Sequence, residues 1–481
     1  MSLEKAYDPE SFRAAGHQLV DGLADYLAKA AAGDLPVLPA IPREDLLAEL
    51  ETDFSAPAGD LTQLLLRLVS QSIHVHHPHY VGHQVSVPLP QSILAEATSA
   101  LLSNGMAIYE MGQLHTVMER HVVRFLSNAL GYPPQSEGVL THGGSLGNFT
   151  ALLAMRQALA GHDIWTEGQR ESLGVLVSEE AHYCIARAVQ SMGWGVGGAV
   201  LVPTDDQFRM DTGAMTRRLE EAHAQGRKVI GVVASSCSTA TGSFDPLPEI
   251  ADFCQERGLW MHVDGAHGAS LVLSRKHRHI LRGIERADSV TWDLHKMMGL
   301  PALNTAVLFR DGQHSYEAFA QKASYLFDGR EAEREWFNIG LRTMECTKRG
   351  LGVTAYTMLA TLGRDVFEQN VDCLVDLAQE FARRLDQEPD FELAAIPEAN
   401  IVCLRHVPNG RSLDVAQRDA LQERIRARIL ERERFYLVKA RVGGQICLRV
   451  SLMNPATTHS HLNALVEEIR VCAAPESLAQ N

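Results

Sequence analysis

The amino-acid sequence predicts an α/β protein whose larger part is built on a mainly parallel β-sheet. Between residues 135 and 310, short apolar runs alternate with helical patterns, which is typical of parallel strands connected by helices. After residue 345 the pattern changes to helices and strands of α+β type. With 481 residues, of which 46% are hydrophobic, the chain is long enough for a large core and more than one domain.

Several apolar runs are predicted to be strands of this parallel sheet. They cover residues 174–177, 228–234, 259–263 and 289–292. A further strand-like stretch ends at Leu140, directly before a glycine-rich loop. The predicted large domain that contains these strands extends over residues 76–345.

The N-terminal segment, residues 1–75, is predicted to be helical. Asp8 followed by Pro9 is a typical helix start, and apolar residues recur at helical spacing after it. Such an amphipathic helix needs a packing partner, which is either its own chain or a second subunit. Residues 33–57 are rich in proline and polar residues and are predicted to be a linker.

Residues 346–481 are predicted to form a smaller α+β domain. Helical periodicity covers residues 365–386, 414–432 and 459–471, and runs typical of strands cover residues 392–405 and 445–452.

The composition of the chain limits which partners the protein is expected to bind and in which cellular compartment it is expected to lie. The 59 acidic and 44 basic residues give a net charge of −15, which argues against nucleic acid or an anionic membrane as the main partner. The eight cysteines are scattered without C-x-x-C spacing, as in a protein with reduced thiols. Neither a signal-type N-terminus nor an apolar run of membrane-spanning length is present, so we expect a cytoplasmic protein.

A lysine and an aspartate indicate a pyridoxal phosphate site. Asp264 ends the predicted strand at residues 259–263, and Lys296 follows the next predicted strand along the chain. A lysine amine forms a Schiff base with the cofactor aldehyde, and an acid keeps the pyridine nitrogen protonated so that the ring accepts an electron pair. The apolar neighbours Met297 and Met298 are expected to desolvate the lysine and favour its neutral form.

An aspartate or a lysine in such a position is, by itself, more often structural than catalytic. The chain also contains a glycine-rich loop, and the joint occurrence of the three favours a cofactor site. Gly143, Gly144, Ser145 and Gly147 lie between a predicted strand and a predicted helix, an arrangement that turns backbone N–H groups toward a phosphate. An ordinary glycine-rich turn is the alternative for the loop on its own. The loop does not match the P-loop pattern, which disfavours a nucleoside triphosphate.

His182 is a third candidate residue. It lies at the junction of an apolar strand and a helix that Glu179 and Glu180 are predicted to open. A histidine at this junction can lie flat over a cofactor ring.

Together these motifs resemble the group II pyridoxal-phosphate decarboxylases, which include the glutamate, cysteine sulfinate, aromatic amino acid and diaminobutyrate decarboxylases. The resemblance extends from about His77 to the C-terminal helix. It implies fold type I with a seven-stranded type of sheet, pyridoxal 5'-phosphate as the cofactor, and a homodimer with shared active sites.

The resemblance also implies a role for each motif residue. Lys296 would be the Schiff-base lysine, Asp264 the partner of the pyridinium nitrogen, and His182 the residue stacked on the ring. Further cofactor contacts would be made by Gly144, Ser145, Ser235, Ala266 and His295. The substrate side would contain Tyr80, His83 and Arg449, of which Arg449 matches the arginine that receives the α-carboxylate in glutamate decarboxylases.

A histidine-rich segment offers an alternative to this substrate role. Its members His74, His76, His77, His79 and His83 resemble a metal-binding tract. No acidic or thiol ligand accompanies them, so no metal is predicted.

Three positions depart from the family pattern. Glu333 occupies the position of a mobile-loop tyrosine that reprotonates the α-carbon in the family, and no tyrosine occurs between Tyr325 and Tyr356. Either another donor such as His182 replaces it, or the reaction turns toward transamination or oxidative deamination. The other departures are residues 345–349, where many members have Cys-Gly-Arg, and His267, where a bulky aromatic is common.

The expected function is decarboxylation of an L-amino acid to its amine and carbon dioxide. Small polar or acidic substrates, such as glutamate, aspartate or 2,4-diaminobutyrate, are favoured over aromatic ones. The alternatives are an aldehyde-forming decarboxylase, an aminotransferase or a carbon–carbon lyase of the same fold type. A cofactor-binding partner protein without turnover is disfavoured, since it has no need for Lys296 facing an acid.

Overall fold

A computed structural model describes residues 3–57, 59–319, 336–410 and 412–474. The chain divides into two compact units. The small unit consists of Met1–His83, Arg383–Ala394 and Cys403–Asn481, and the large unit of Gln84–Ala382 and Ala395–Val402. The division into three domains at residues 75 and 345 stays a prediction.

A seven-stranded sheet forms the centre of the large unit, in the order β1-β7-β6-β5-β4-β2-β3. Its strands are β1 (Glu137–Thr141), β2 (Leu173–Ser178), β3 (Ala199–Val202), β4 (Lys228–Ser235), β5 (Trp260–Asp264), β6 (Ser289–Asp293) and β7 (Thr305–Phe309). Only β7 is antiparallel to its neighbours, which are β1 and β6. The predicted mainly parallel sheet is therefore confirmed.

The described α-helices follow in chain order. They are α1 (Leu3–Ala6), α2 (Pro9–Ala32), α3 (Arg43–Glu49), α4 (Leu61–Gln71), α5 (Pro90–Leu102), α6 (Gln113–Leu130), α7 (Gly144–Leu159), α8 (Ile164–Glu167), α9 (Cys184–Ser191), α10 (Thr212–Ala224), α11 (Leu247–Arg257), α12 (His314–Glu317), α13 (Leu351–Leu362), α14 (Arg364–Leu385), α15 (Val415–Glu431) and α16 (His459–Ala473). No helix in the described ranges is long and apolar enough to cross a membrane.

The central strands are buried on both faces, as expected for a parallel sheet covered by helices. Every residue of β2, β5, β6 and β7 is buried. Helix α7 packs across β5, β6 and β7, and its side chains Leu152 and Met155 share a core with Trp260 and Phe309. Because β1, β4, β5 and β6 run in the same direction, their carboxyl ends meet at one edge of the sheet, which is where the candidate site lies.

The small unit contains a second, four-stranded sheet in the order β10-β11-β9-β8. Its strands are β8 (Phe391–Leu393), β9 (Ile401–His406), β10 (Val438–Val442) and β11 (Gln445–Ser451). Helix α15 packs on β11 and against α16, while the N-terminal helices α2 and α4 pack on each other. The predicted start of α2 is confirmed, since the Asp8 side chain accepts the N–H groups of Glu10 and Ser11.

Two predicted segments were wrong in detail. The single strand predicted at residues 392–405 is two strands, because Pro397 lacks an N–H for a ladder and Glu398 instead accepts the N–H of Phe244. The predicted linker at residues 33–57 contains helix α3, which begins directly after Pro42 and has acidic residues in its first turn.

Candidate active site

A cavity of about 290 Å³ opens at the carboxyl edge of the seven-stranded sheet. Nearly all the predicted cofactor residues line it, namely Gly144, Ser145, His182, Asp264, Ala266, His295 and Lys296. Ser235 ends β4 and donates its N–H to Asp245, while Cys237 and Thr239 of the following loop line the cavity. The contact of Ser235 with a cofactor stays a prediction.

Lys296 lies in the turn after β6 and forms an ion pair with Asp293, with 3.0 Å between Nζ and Oδ2. Burial acts to lower the pKa of Lys296, but the carboxylates of Asp293 and Asp264 outweigh it and raise the pKa. The flanking Met297 and Met298 are buried, as expected. Desolvation thus acts toward the neutral lysine, as expected, but the two carboxylates together outweigh it.

Asp264 ends β5 and is almost fully buried. One of its oxygens accepts the N–H of Ala266 at 3.2 Å. Burial raises the pKa of Asp264, while the nearby charges of Lys296 and His182 act in the opposite direction. A carboxyl group in this state is suited to bind a cationic N–H group within the cavity.

His182 lies in the turn between β2 and α9. Burial lowers its pKa, although the charge of Asp264 acts against this. Its Nδ1 accepts the N–H of Cys184 at 3.3 Å, so the neutral ring carries its proton on Nε2. The predicted acidic helix start was wrong: α9 begins at Cys184, and the acidic pair at residues 179–180 lies in the turn before it.

The glycine-rich loop leads from β1 into the N-terminus of α7. Gly143 has a φ of +94°, a left-handed conformation that favours glycine. A Cβ on Gly144 would lie 2.9 Å from Oδ1 of Asp293, so only glycine fits there. The first N–H groups of a helix have no intrahelical acceptor, and those of Gly144 and Ser145 are therefore available for an anion in the cavity.

A buried polar chain runs behind the cavity. His262 donates from Nε2 to Asn148 Oδ1 at 2.9 Å, so the neutral ring accepts the Ser289 hydroxyl at Nδ1, at 2.8 Å. Burial lowers the pKa of His262 to about 3. Asn148 in turn donates to Cys184 Sγ at 3.3 Å. Since Asn148 and Cys184 line the cavity, this chain fixes part of its wall.

The positions that depart from the family pattern have distinct surroundings. His267 lines the cavity, and its Nε2 lies 2.6 Å from Asn400 Oδ1. Lys348 is fully buried, where it pairs with Glu119 at 2.6 Å and donates to the carbonyl oxygen of Leu140, just before the glycine-rich loop. Glu333 and Tyr325 lie outside the described residues.

The predicted substrate residues lie in the small unit. Tyr80 is stacked on Tyr436, with 5.2 Å between ring centroids, and burial raises the pKa of Tyr80 to about 12. Desolvation and then the positive charge of Arg449 lower the pKa of His83. Arg449 is buried on β11, opposite Val438 of β10. The structure thus brings Tyr80, His83 and Arg449 into one region of this unit.

The histidines of the same segment bind the backbone. His74 bonds the carbonyl oxygens of Pro36 and Val69, and His79 bonds that of Arg434 and stacks on Phe435. In the described parts of the chain no group of three or more His, Cys, Asp or Glu residues is placed to hold a metal ion.

Asp293 also lines the cavity, and it was not among the residues predicted for the site. It lies within the Thr-Trp-Asp-Leu-His-Lys motif, three residues before Lys296, and this i,i+3 spacing was the available signal. Its contacts with Gly144 and with Thr305 of β7 depend on the pairing of distant strands.

Comparison with known proteins agrees with this site. Residues 45–407 match the pyridoxal-dependent decarboxylase conserved domain. The cysteine sulfinic acid decarboxylase of Mus musculus is 31% identical over 76% of this chain and 75% of its own, and the aromatic-L-amino-acid decarboxylase of Bacillus atrophaeus is 26% identical over 100% and 99%. The crystal structure of mouse CSAD superposes with a TM-score of 0.89 at 25% identity, covering 97% of this chain and 99% of that one. The chain therefore belongs to the pyridoxal-dependent decarboxylase family, and it is a pyridoxal-phosphate-dependent carboxy-lyase of amino acids with the α/β architecture of fold type I.

Proposed function

We propose that this enzyme decarboxylates an L-amino acid with a small polar or acidic side chain and releases the corresponding amine and carbon dioxide. The observation that carries the proposal is the convergence of Lys296, Asp264 and His182 on one cavity beside a glycine-rich loop. These residues supply an amine, an acid and a proton donor, which are the groups that this reaction needs from the protein.

The cavity fits pyridoxal phosphate. The N–H groups of Gly144 and Ser145 would hold the phosphate, and Asp264, whose pKa is raised by burial, would gain a cationic partner in the pyridinium nitrogen. His182 would lie against the ring, and Lys296 would carry the cofactor. When bound, the cofactor supplies an electron sink for the pair of electrons left on the α-carbon.

His182 is proposed to return the proton to the α-carbon. Burial lowers its pKa, so the ring is neutral near neutral pH and carries one proton on Nε2, because Nδ1 accepts the N–H of Cys184. To donate a proton, the ring must first gain a second one, and the charge of Asp264 favours this imidazolium form against burial. After the donation the ring is neutral again, and this donor would act in place of a tyrosine at position 333.

Arg449 is proposed to bind the α-carboxylate of the substrate. It is buried, and its charge, together with that of Arg426, acts on His83. A concentration of positive charge favours substrates with more than one acidic group. The relative named a cysteine sulfinic acid decarboxylase, which is 31% identical, also supports an acidic substrate.

The test is a product analysis with purified, cofactor-loaded enzyme. The twenty common amino acids, 2,4-diaminobutyrate and cysteine sulfinate are supplied separately, and carbon dioxide, amine and aldehyde are measured together, with Lys296→Ala as the control. We expect amine and carbon dioxide in equal amounts from glutamate, aspartate, cysteine sulfinate or 2,4-diaminobutyrate. Exclusive turnover of an aromatic substrate would contradict the proposed substrate class.

A second candidate outcome is supported by Glu333 at the position of the family's loop tyrosine. Without that proton donor, the carbanion left after loss of carbon dioxide can instead transfer two electrons to dioxygen, which is reduced to hydrogen peroxide. Water then hydrolyses the oxidised carbon–nitrogen bond and releases an aldehyde and ammonia. If the same assay gives more aldehyde than amine, the enzyme catalyses this oxidative reaction rather than simple decarboxylation.

We also propose that the enzyme is a homodimer with shared active sites. In the small unit, helix α4 carries the exposed side chains Leu61, Leu64 and Leu68, and α2 carries exposed Phe12. Exposed apolar surface of this kind is typical of an interface between subunits. Analytical ultracentrifugation should give a dimer, and Leu64→Glu combined with Leu68→Glu should shift it toward the monomer.

A cytoplasmic location is proposed from the cysteines. All eight are thiols rather than members of a disulfide, and six of them are buried. Reduced thiols persist in a reducing compartment. Cell fractionation should find the enzyme with cytoplasmic markers.

A further inference from the structure

Asp293 lies directly between Lys296 and the glycine-rich loop. Its Oδ2 is 3.0 Å from Lys296 Nζ and 3.6 Å from His295 Nε2. Its side chain is only 4% exposed. A buried carboxylate at this position therefore contacts the amine that has to react with the cofactor.

Two other elements hold this carboxylate in place. Thr305 is the direct partner of Asp293 in the β6/β7 pair, and its hydroxyl donates to Oδ1. On the other side, Gly144 at the start of α7 leaves just enough room, since a Cβ there would lie 2.9 Å from Oδ1. The carboxylate is thus confined by β7 and α7 and cannot turn away from the lysine.

The charged and titratable groups that act on Lys296 come from several elements. They are Asp293, Asp264 and Cys237. The charge of Lys296 in turn lowers the pKa of His182. Among the three, only Asp293 has a direct ion pair with the lysine. Together with the 3.0 Å ion pair to Asp293, the raised pKa of Lys296 favours its ammonium form over the neutral amine.

An ammonium group cannot attack an aldehyde. We propose that Asp293 holds Lys296 as an ammonium group until the cofactor arrives and then takes the proton that the lysine must lose to react with the cofactor aldehyde. One ammonium proton first moves from Nζ to Oδ2 of Asp293, and Nζ then forms its bond to the aldehyde carbon. The proton held by Asp293 and a second Nζ proton pass to the aldehyde oxygen, which leaves as water, while Nζ keeps the third proton.

This role concerns cofactor capture and so goes beyond the proposed substrate and products. Asp293 is a positioning and proton-transfer residue for the lysine. Its removal should therefore change the pH dependence of cofactor binding, whichever amino acid is the substrate.

The test follows the binding of pyridoxal phosphate to the apoenzyme by stopped-flow absorbance at several pH values. In the wild type, the rate of imine formation should change little between about pH 7 and 9, because Asp293 takes the lysine proton within the site. Asp293→Asn removes the proton acceptor at nearly constant shape, so its rate should be about 10²–10⁴-fold lower at pH 7 and should rise with pH as solvent takes the proton. Asp293→Glu should restore a profile close to that of the wild type.

Thr305→Val is the matched control, because it removes the hydrogen bond to Asp293 and leaves the carboxylate charge. Its profile should match that of the wild type, whereas an equal loss of rate in both variants would mean that packing around Asp293, not its carboxylate, controls the lysine, and would overturn the proposal. An Asp293→Asn profile equal to that of the wild type would also overturn it. Circular dichroism checks folding, and if Asp293→Asn does not fold, a wild-type rate that rises steadily with pH between about pH 7 and 9 overturns the proposal by itself.

Discussion

Asp264 and Lys296 extend from the ends of the neighbouring strands β5 and β6 into one cavity, and each alters the pKa of the other. Asp264 contributes to the raised pKa of Lys296, and Lys296 acts against the burial that raises the pKa of Asp264. The parallel pairing of β5 and β6 produces this relationship, because it places both carboxyl ends at the same edge of the sheet. The chemistry of the site therefore follows from the order of the strands.

Asp264→Asn should lower kcat by about 10²–10³-fold, because an amide cannot keep the pyridine nitrogen of the cofactor protonated. The lysine should still bind the cofactor, so the visible absorbance of the bound cofactor remains. Steady-state kinetics and absorbance spectra measure the two effects. Asp288→Asn is the matched control, since Asp288 is another desolvated carboxyl of the large unit that accepts the N–H of Met261.

His182→Gln should lower kcat by about 10²–10⁴-fold through loss of the proton donor. The imidazolium form that donates the proton is present below the folded-state pKa of His182, which burial lowers from 6.5, so wild-type activity should fall as the pH rises through that pKa. The variant should lack this limb of the pH–rate profile. If the variant keeps the limb, the limb belongs to another group.

Arg449→Ala should raise KM by about 10–100-fold with a smaller effect on kcat, because it removes a charged hydrogen-bonding group for the substrate carboxylate. Arg449→Lys should recover only part of the loss, since lysine lacks the planar fork of arginine. Arg441→Ala on the adjacent strand β10, where the arginine is exposed, should leave KM unchanged. If Arg449→Ala and Arg441→Ala had equal KM values, Arg449 would not bind the substrate.

Lys348→Met should lower the free energy of unfolding by about 3–5 kcal/mol, because it leaves the buried Glu119 without its ion-pair partner. The double variant Glu119→Gln with Lys348→Met should recover much of this loss. Urea unfolding of the apoenzyme measures both. Lys439→Met breaks an exposed pair with Glu423 and should cost less than about 1 kcal/mol.

Stability should fall in acid partly because of His262. Burial lowers its pKa to about 3 from 6.5, so between these values the unfolded chain binds a proton that the folded chain does not. This contribution to the free energy of unfolding is complete above pH 6.5 and is lost as the pH decreases toward 3. It amounts to several kcal/mol, at about 1.4 kcal/mol for each unit by which the pKa is lowered. Urea unfolding of His262→Gln should show a weaker pH dependence than the wild type, whereas the exposed His223→Gln should match the wild type.

Much of the fold and site could be predicted from local patterns. The strands of the large sheet, the start of α2 at Asp8, and the acid and amine at Asp264 and Lys296 all lie in short segments whose spacing is visible in the sequence. The cavity confirms that Lys296, Asp264, His182 and the glycine-rich loop come together.

The remaining features depend on contacts between distant segments. The confinement of Asp293 needs Thr305 from β7 and Gly144 from α7, and the break between β8 and β9 needs the bond from Phe244 to Glu398. The charge of Lys296 could not be predicted from its apolar neighbours, because the two carboxylates that control it are close only in the folded chain.

The central claim is that pyridoxal phosphate is held by Lys296 in this cavity and that substrate enters the reaction there. The most direct measurement is borohydride reduction of the holoenzyme, followed by proteolysis and mass spectrometry of the lysine-containing peptides. We predict a phosphopyridoxyl group on Lys296 alone, in about one copy per chain, and its loss from Lys296 when a substrate amino acid is present during reduction. A label on another lysine, or a label on Lys296 that no amino acid displaces, would contradict the claim.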